Sequence, residues 1–352
     1  MEETPLKQKK TSPWLIAAFV LMNVGVLLWT GLSELNRRNE DTAGFSQIRF
    51  RWGFLVLSVL FFAVAFAAET LKYYSMMRQM TERKDYGTAF RVALYGRYYD
   101  NITPSGAGGQ PFQIYFLRRC GLPLNASFAI PIFAFVTQQL VFVALSLFAF
   151  LVFGGRFAHP TIKVTAFIGL IFYSLVPVTI ILSARFPDLT GKVACLLIRL
   201  LVKLRIVKDP EAAAEKAQVR IREYSEAMAF LNSKKYLVWR LVGLSVIYHL
   251  ARASLPFFIL HAFGGSGSWL DITIATFFIY AAITIIPTPG GAGAAEASFY
   301  LVFSGLPDPG LVFWAMLLWR FFSYYIYIIG GFLLTVSDFF RAGRTGQTGL
   351  DP

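Results

Sequence analysis

Charge is scarce in this chain, and acid is the scarcer sign. Only 15% of the 352 residues are Asp, Glu, Lys or Arg, where a soluble domain carries about a quarter. The 20 acidic residues face 33 basic ones, for a net charge of +13. In a soluble protein that excess would suggest nucleic acid. Here the basic residues fall between apolar runs, with no polar domain to carry them. The positive-inside distribution of a membrane protein accounts for them, and no nucleic-acid partner is implied. Cysteine is nearly absent, and Cys120 and Cys195 are too few for a disulfide framework. His159, His249 and His261 show no metal-ligand spacing. No Walker lysine, zinc motif or nucleophile elbow occurs. An ATP-driven pump is therefore not indicated, and neither are an enzyme, a catalytic residue, a metal or a cofactor.

What the chain has is apolar length, with 56% hydrophobic residues. A bilayer core needs about 20 mostly apolar residues per helix. Pro13–Leu32, Gly53–Met77, Ala126–Phe153, Thr161–Ala184, Tyr236–Phe263 and Leu311–Val336 all qualify. The first follows Lys7, Lys9 and Lys10 and resembles a signal peptide. It is too long for an h-region and lacks a small-residue cleavage site, so it reads as an uncleaved helix. Two further regions, Tyr86–Leu117 and Ile272–Gly305, are apolar but interrupted.

Each interrupted region carries a glycine-proline signature near its middle. The first is Thr103-Pro104-Ser105-Gly106-Ala107-Gly108-Gly109, followed by Gln110-Pro111. The second is Thr288-Pro289-Gly290-Gly291-Ala292-Gly293, with Glu296 just beyond. Such breaks leave backbone groups unpaired, and lipid cannot satisfy them. They persist only when buried in protein or lining a wet cavity. Interrupted segments in matching positions of two halves point to a transport site.

Lys and Arg set the expected orientation. The basic stretch 185–235 and the tail from 341 to 352 belong in the cytoplasm, as does the N-terminus, 1–12. Gly264–Asp271 has no Lys or Arg and belongs outside. These placements balance only if the two interrupted regions enter from opposite faces and return. The expected fold is an all-α polytopic membrane protein with two inverted repeats, about 53–153 and 236–336, each with a re-entrant helical hairpin. One membrane domain would cover 13–340, in a cell inner membrane. The alternative, in which each region crosses once as a bent helix, makes it hard to keep both basic segments inside. Within the basic stretch, Pro210–Asn232 reads as an amphipathic helix, either solvated or lying on anionic lipid.

The candidate site gathers around the signatures. Arg97 and Asn101 are four apart and share a helix face. Thr103, Gln110 and Thr288 flank the breaks. Pro104, Gly106, Gly108, Gly109, Pro289, Gly290, Gly291 and Gly293 act as structural hinges. Free amides at the start of the half-helix after Gly109 suit an anionic headgroup. Glu296 is an acid in an apolar half-helix, either functional or a partner of the local helix dipole. Arg320 sits midway along the last helix, with Tyr324 one turn on, and is the natural partner of Glu296 or of a lipid phosphate. Secondary candidates are Glu69, His249 and Arg252. Glu69 and Lys72 are three apart and can neutralise each other, and His249 and Arg252 share a face.

These residues resemble a known family. Asn101–Pro111 followed by Leu117-Arg118-Arg119 and Gly121 looks like one hallmark of the lysylphosphatidylglycerol synthase/flippase transmembrane domain family. Pro287–Gly293 with Glu296 resembles the second, and Arg320 matches an arginine in that family's last helix. The resemblance runs from about Pro13 to Phe340. It implies an integral membrane flippase for a phospholipid or glycolipid. The soluble aminoacyl-transfer domain of the best-known members is not expected, since the chain ends at Pro352. The family's Gly-Gly-Glu-Pro reads Gly-Gly-Gln-Pro here, so Gln110 hydrogen-bonds without charge. The expected function is lipid movement between leaflets through a midplane cavity. A channel or small-solute transporter is the first alternative, and a partner, catalytic or not, in lipid-linked biosynthesis the second. A homo-oligomer and a separate lipid-modifying enzyme are compatible partners.

Overall fold

The computed structural model describes residues 50–103, 106, 108–156, 160–203, 210–284, 286, 288–303 and 309–345. The expected helix Pro13–Leu32, the hinge residue Pro104 and the tail beyond 345 lie outside these. In order, the helices are α1 (Trp52–Thr81), α2 (Tyr86–Ile102), α3 (Gly109–Arg119), α4 (Leu124–Phe153), α5 (Pro160–Arg185) and α6 (Pro187–Lys203). Then follow α7 (Pro210–Ser233), α8 (Lys235–Ala262), α9 (Trp269–Ile283), α10 (Ala294–Phe303), α11 (Pro309–Arg320) and α12 (Ile326–Thr345). A π turn, Phe321–Tyr325, joins the last two. All fall in the compact unit Asp41–Pro352.

No strand forms among the described residues. Five stretches among the described residues are long and apolar enough to cross a membrane: α1, α4, α5, α8 and Leu311–Asp338. They match the five long runs expected after residue 50. At about 1.5 Å per residue, the 30 residues of α1 and of α4 reach about 45 Å, beyond a core of about 30 Å. Their outer faces keep large apolar side chains exposed, such as Leu60 of α1, Phe148 of α4 and Phe172 of α5. Water would not tolerate so much contiguous apolar surface, and lipid would. The protein is an all-α, multi-pass membrane protein.

The packing uses small residues where helices meet most closely. α1 and α8 lie against each other, with Ala65 and Ala68 facing Ala251 and the ring of Tyr248. With no solvent drive inside a bilayer, such close backbone approach supplies the attraction. Ile259, Ile279, Phe299, Met316 and Trp319 form a core among α8 to α11. Phe142, Ala166, Leu170, Phe277 and Phe278 form another among α4, α5 and α9.

The order long, short, short, long occurs twice, as α1 to α4 and as α8, α9, α10 and the span Leu311–Asp338. In each case the two short helices flank a signature. α3 has 11 residues and α10 has 10, about 15 Å each, too short to cross alone. α2 packs on α3 and α9 on α10, and α2 also touches the turn Pro289–Gly291. The two breaks are therefore neighbours. The basic stretch is helical for most of its length. α7 matches the amphipathic helix expected at Pro210–Asn232 and buries Met228 and Leu231. α6 was not anticipated, and it keeps Leu189, Val193 and Leu196 exposed.

Candidate functional site

The first break is closed by its own side chains. Asp85 starts α2 by accepting the Thr88 amide at 3.0 Å. α2 ends where Thr103 turns extended. The Thr103 hydroxyl donates to the Tyr99 carbonyl at 2.7 Å and accepts the Gly108 amide at 2.9 Å. The Asp100 carboxylate accepts the Gly109 amide at 2.9 Å. α3 thus begins against a carboxylate and a hydroxyl from α2, the arrangement that a helix N-terminus favours. A Cβ on Gly109 would overlap the Asp100 carboxylate, so only glycine lets the two helices close. The amides at Gly108 and Gly109, expected to greet a headgroup, are engaged internally. Gln113 of α3 donates to the Tyr73 hydroxyl at 2.8 Å and the Val92 carbonyl at 2.9 Å, tying α3 to α1 and α2.

The second break is closed by an ion pair. Glu296 accepts the Gly293 amide at 2.5 Å and meets Arg320 at 2.7 Å. Arg320 also donates to the Gly290 carbonyl at 3.0 Å and lies 4.5 Å from the Tyr324 ring centre. Glu296 and Arg320 are 1% and 3% exposed. Gly290 has φ +58°, and a Cβ there would overlap the Tyr324 ring. The π turn that follows Arg320 is the kind of local distortion that often marks a functional segment.

Between the two breaks lies a cavity of about 820 Å³. Of the expected site residues, Arg97, Asn101, Gln110, Thr288 and Arg320 line it, with the hinges Gly106, Gly290 and Gly291. Thr103, Glu296 and Tyr324 do not line it; they hold the turns behind its wall. Gly108, Gly109, Pro289 and Gly293 build those turns. The secondary candidates Glu69, His249 and Arg252 all line the cavity.

The pairing of Glu69 differs from the sequence expectation. Glu69 forms no ion pair with Lys72. It accepts from Nε and Nη2 of Arg97 of α2, at 2.9 and 2.8 Å. A bidentate guanidinium satisfies a buried carboxylate better than a lysine one turn along the same helix. Lys72 instead donates to the Gln138 side chain of α4. The His249 Nε2 donates to the Gln138 carbonyl at 3.0 Å, and Arg252 donates to the Tyr248 hydroxyl at 3.0 Å. Gln138, Gln139 and Asp100 also line the cavity and were missed as site residues. The signal was present: a Gln pair midway along an apolar helix, and an acid three residues before the first signature.

Composition, the twin signatures and their shared cavity converge with one comparison. The sequence matches the family described as Lysylphosphatidylglycerol synthase TM region over residues 11–331. The chain belongs to this family. A relative described as a UPF0104 membrane protein, from Archaeoglobus fulgidus, is 23% identical over 287 residues. That match spans 80% of this chain and 86% of the relative. Within the lysylphosphatidylglycerol synthase TM region, the match takes in both signatures, Glu69, Gln138, His249, Arg252 and Arg320.

Proposed function

We propose that this protein moves a polar-headgroup lipid between the two leaflets. The headgroup crosses the cavity while the acyl chains stay in the bilayer. The two short-helix pairs act as re-entrant hairpins of two inverted repeats, entering from opposite faces. The reading rests above all on the two-sided character of the cavity. Its α1, α2, α4 and α8 walls carry charged and amide side chains, while Phe172, Val176 and Ile180 of α5 make an apolar wall. Phe172 and Val176 are also exposed. A charged group in bare lipid costs several kcal/mol, and a polar lining offsets much of that.

A second cavity, about 310 Å³ and almost wholly apolar, lies between α4, α5 and α7. Ile132 and Ile180 line both cavities. A chamber with a charged wall beside an almost wholly apolar one suits a molecule with a head and a tail. The family to which the chain belongs is named for a lipid, which supports the same class of cargo. The test is reconstitution in liposomes with tail-labelled phospholipids and an external quencher. Ile132→Trp and Ile180→Trp would fill the junction and should slow lipid movement strongly. Flux of small solutes without lipid movement would refute the reading and favour a channel.

A further inference from the structure

Among the described residues, six charged side chains line the large cavity: Glu69, Lys72, Arg97, Asp100, Arg252 and Arg320. They are not equally committed. Glu69 closes on Arg97, and Glu296 from behind the wall closes on Arg320. Asp100 accepts the Gly109 amide. That leaves two cations, Lys72 and Arg252, which have no carboxylate partner among the described residues. Lys72 binds a neutral amide. Arg252 binds a phenol and lies 4.7 Å from the Tyr280 ring centre.

Lys72, Arg97 and Arg252 surround one residue. Their charged groups lie 5.6, 5.0 and 5.9 Å from the Tyr248 ring centre. The Tyr248 ring is 1% exposed, so the cations are gathered in the interior. Two buried donors in this cluster have no partner among the described residues: Arg252 Nε and Gln138 Nε2. A buried donor left unmade costs about 1–3 kcal/mol, more when charged. The missing partner must be an acceptor, and beside an excess of positive charge it should be anionic. A guanidinium with a free edge suits a phosphate oxygen.

We infer that Arg252, with Lys72 and the Gln138 amide, forms a subsite for the phosphate of a net-negative headgroup. The inference rests on the lipid-transport reading and narrows its cargo. Neutral and cationic headgroups would leave the positive cluster uncompensated and bind less well. The same chemistry would also accept a soluble phosphate.

Binding to the purified full-length protein tests this without requiring transport. The probes are phosphatidylglycerol, phosphatidylcholine, a cationic lipid of equal chain length, and inorganic phosphate. Phosphatidylglycerol should bind roughly ten- to hundred-fold more tightly than the other two lipids. Arg252→Gln should remove that preference, and Arg252→Lys should keep part of it. Gln138→Leu, which removes the amide donor and with it the Lys72 acceptor, should weaken phosphatidylglycerol selectively and serves if Arg252→Gln does not fold. Displacement of bound phosphatidylglycerol by millimolar phosphate would assign the subsite to a soluble anion; no displacement would assign it to the lipid. Equal binding of the three lipids would overturn the inference, as would an unchanged preference in a folded Arg252→Gln protein. Should no lipid move in liposomes while the preference persists, the transport reading falls and the anionic subsite stands.

Discussion

The Glu296–Arg320 pair should hold the second break in place, and its removal is the most informative perturbation. The two groups are 2.7 Å apart and almost wholly buried. At an effective dielectric of about 20, charges at that distance attract by roughly 6 kcal/mol. Desolvation of both groups cancels much of this, so the intact pair adds little net stability. Losing one partner is different, because the other charge stays buried alone. That costs about 3–5 kcal/mol. Arg320→Gln would also lose the bond to the Gly290 carbonyl, and Glu296→Gln would weaken the one from the Gly293 amide. Either single variant should therefore be strongly destabilised in thermal unfolding followed by tryptophan fluorescence in detergent. The double variant Glu296→Gln/Arg320→Gln buries no lone charge and should recover more than half of the loss. Because Glu296 lies behind the cavity wall, lipid movement by surviving Glu296→Gln protein should fall through lost fold, not lost affinity. Single variants each losing less than about 1 kcal/mol, or a double variant no more stable than the sum of the singles, would refute this account.

Other predictions follow from the same geometry. Gly109→Ala should cost several kcal/mol, since its Cβ meets the Asp100 carboxylate and the Gly96 carbonyl, whereas Gly154→Ala, with open space around it, should be near neutral; melting temperatures separate the two. Gly290→Ala places a side chain at φ +58° and into the Tyr324 ring, and should lower both stability and expression. Asp85→Ala should cost about 1 kcal/mol by removing the α2 cap. Partial burial pushes the Asp85 carboxyl up, but the bonds from the Thr88 hydroxyl and amide outweigh it and hold its pKa below the ordinary value. A depressed carboxyl stabilises above its unfolded pKa and loses that contribution as pH falls through the folded one. The gap between wild type and Asp85→Ala should therefore be full at pH 7 and shrink below about pH 4. A gap that stays constant down to pH 2 would refute the cap.

The sequence revealed the breaks more clearly than their contents. Gly-Pro runs in apolar segments announce themselves, because helix propensity and membrane burial both forbid them without a reason. Arg97, Asn101, Gln110, Thr288 and Arg320 were legible as neighbours of those breaks, and all five line one cavity. The pairing of charges was not legible. Glu69 and Lys72 sit one turn apart on α1, yet each finds its partner on another helix, Arg97 on α2 and Gln138 on α4. Spacing along one helix fixes which residues share a face, not which neighbour that face meets. The polar residues of α4 and α8 looked like isolated accidents in apolar runs. Burial is what joins them. A polar side chain deep in a membrane must find partners or water, so scattered polar positions on several helices tend to converge. Glu69, Lys72, Arg97, Gln138, His249 and Arg252 do so on one cavity, with Lys72, Arg97 and Arg252 gathered around Tyr248, a residue that no motif marks. The signatures bend the short helices so that this cluster faces a cavity. The polar residues of the long helices then set its charge, which makes Arg252 and Gln138 the positions where changes should alter cargo without unmaking the breaks.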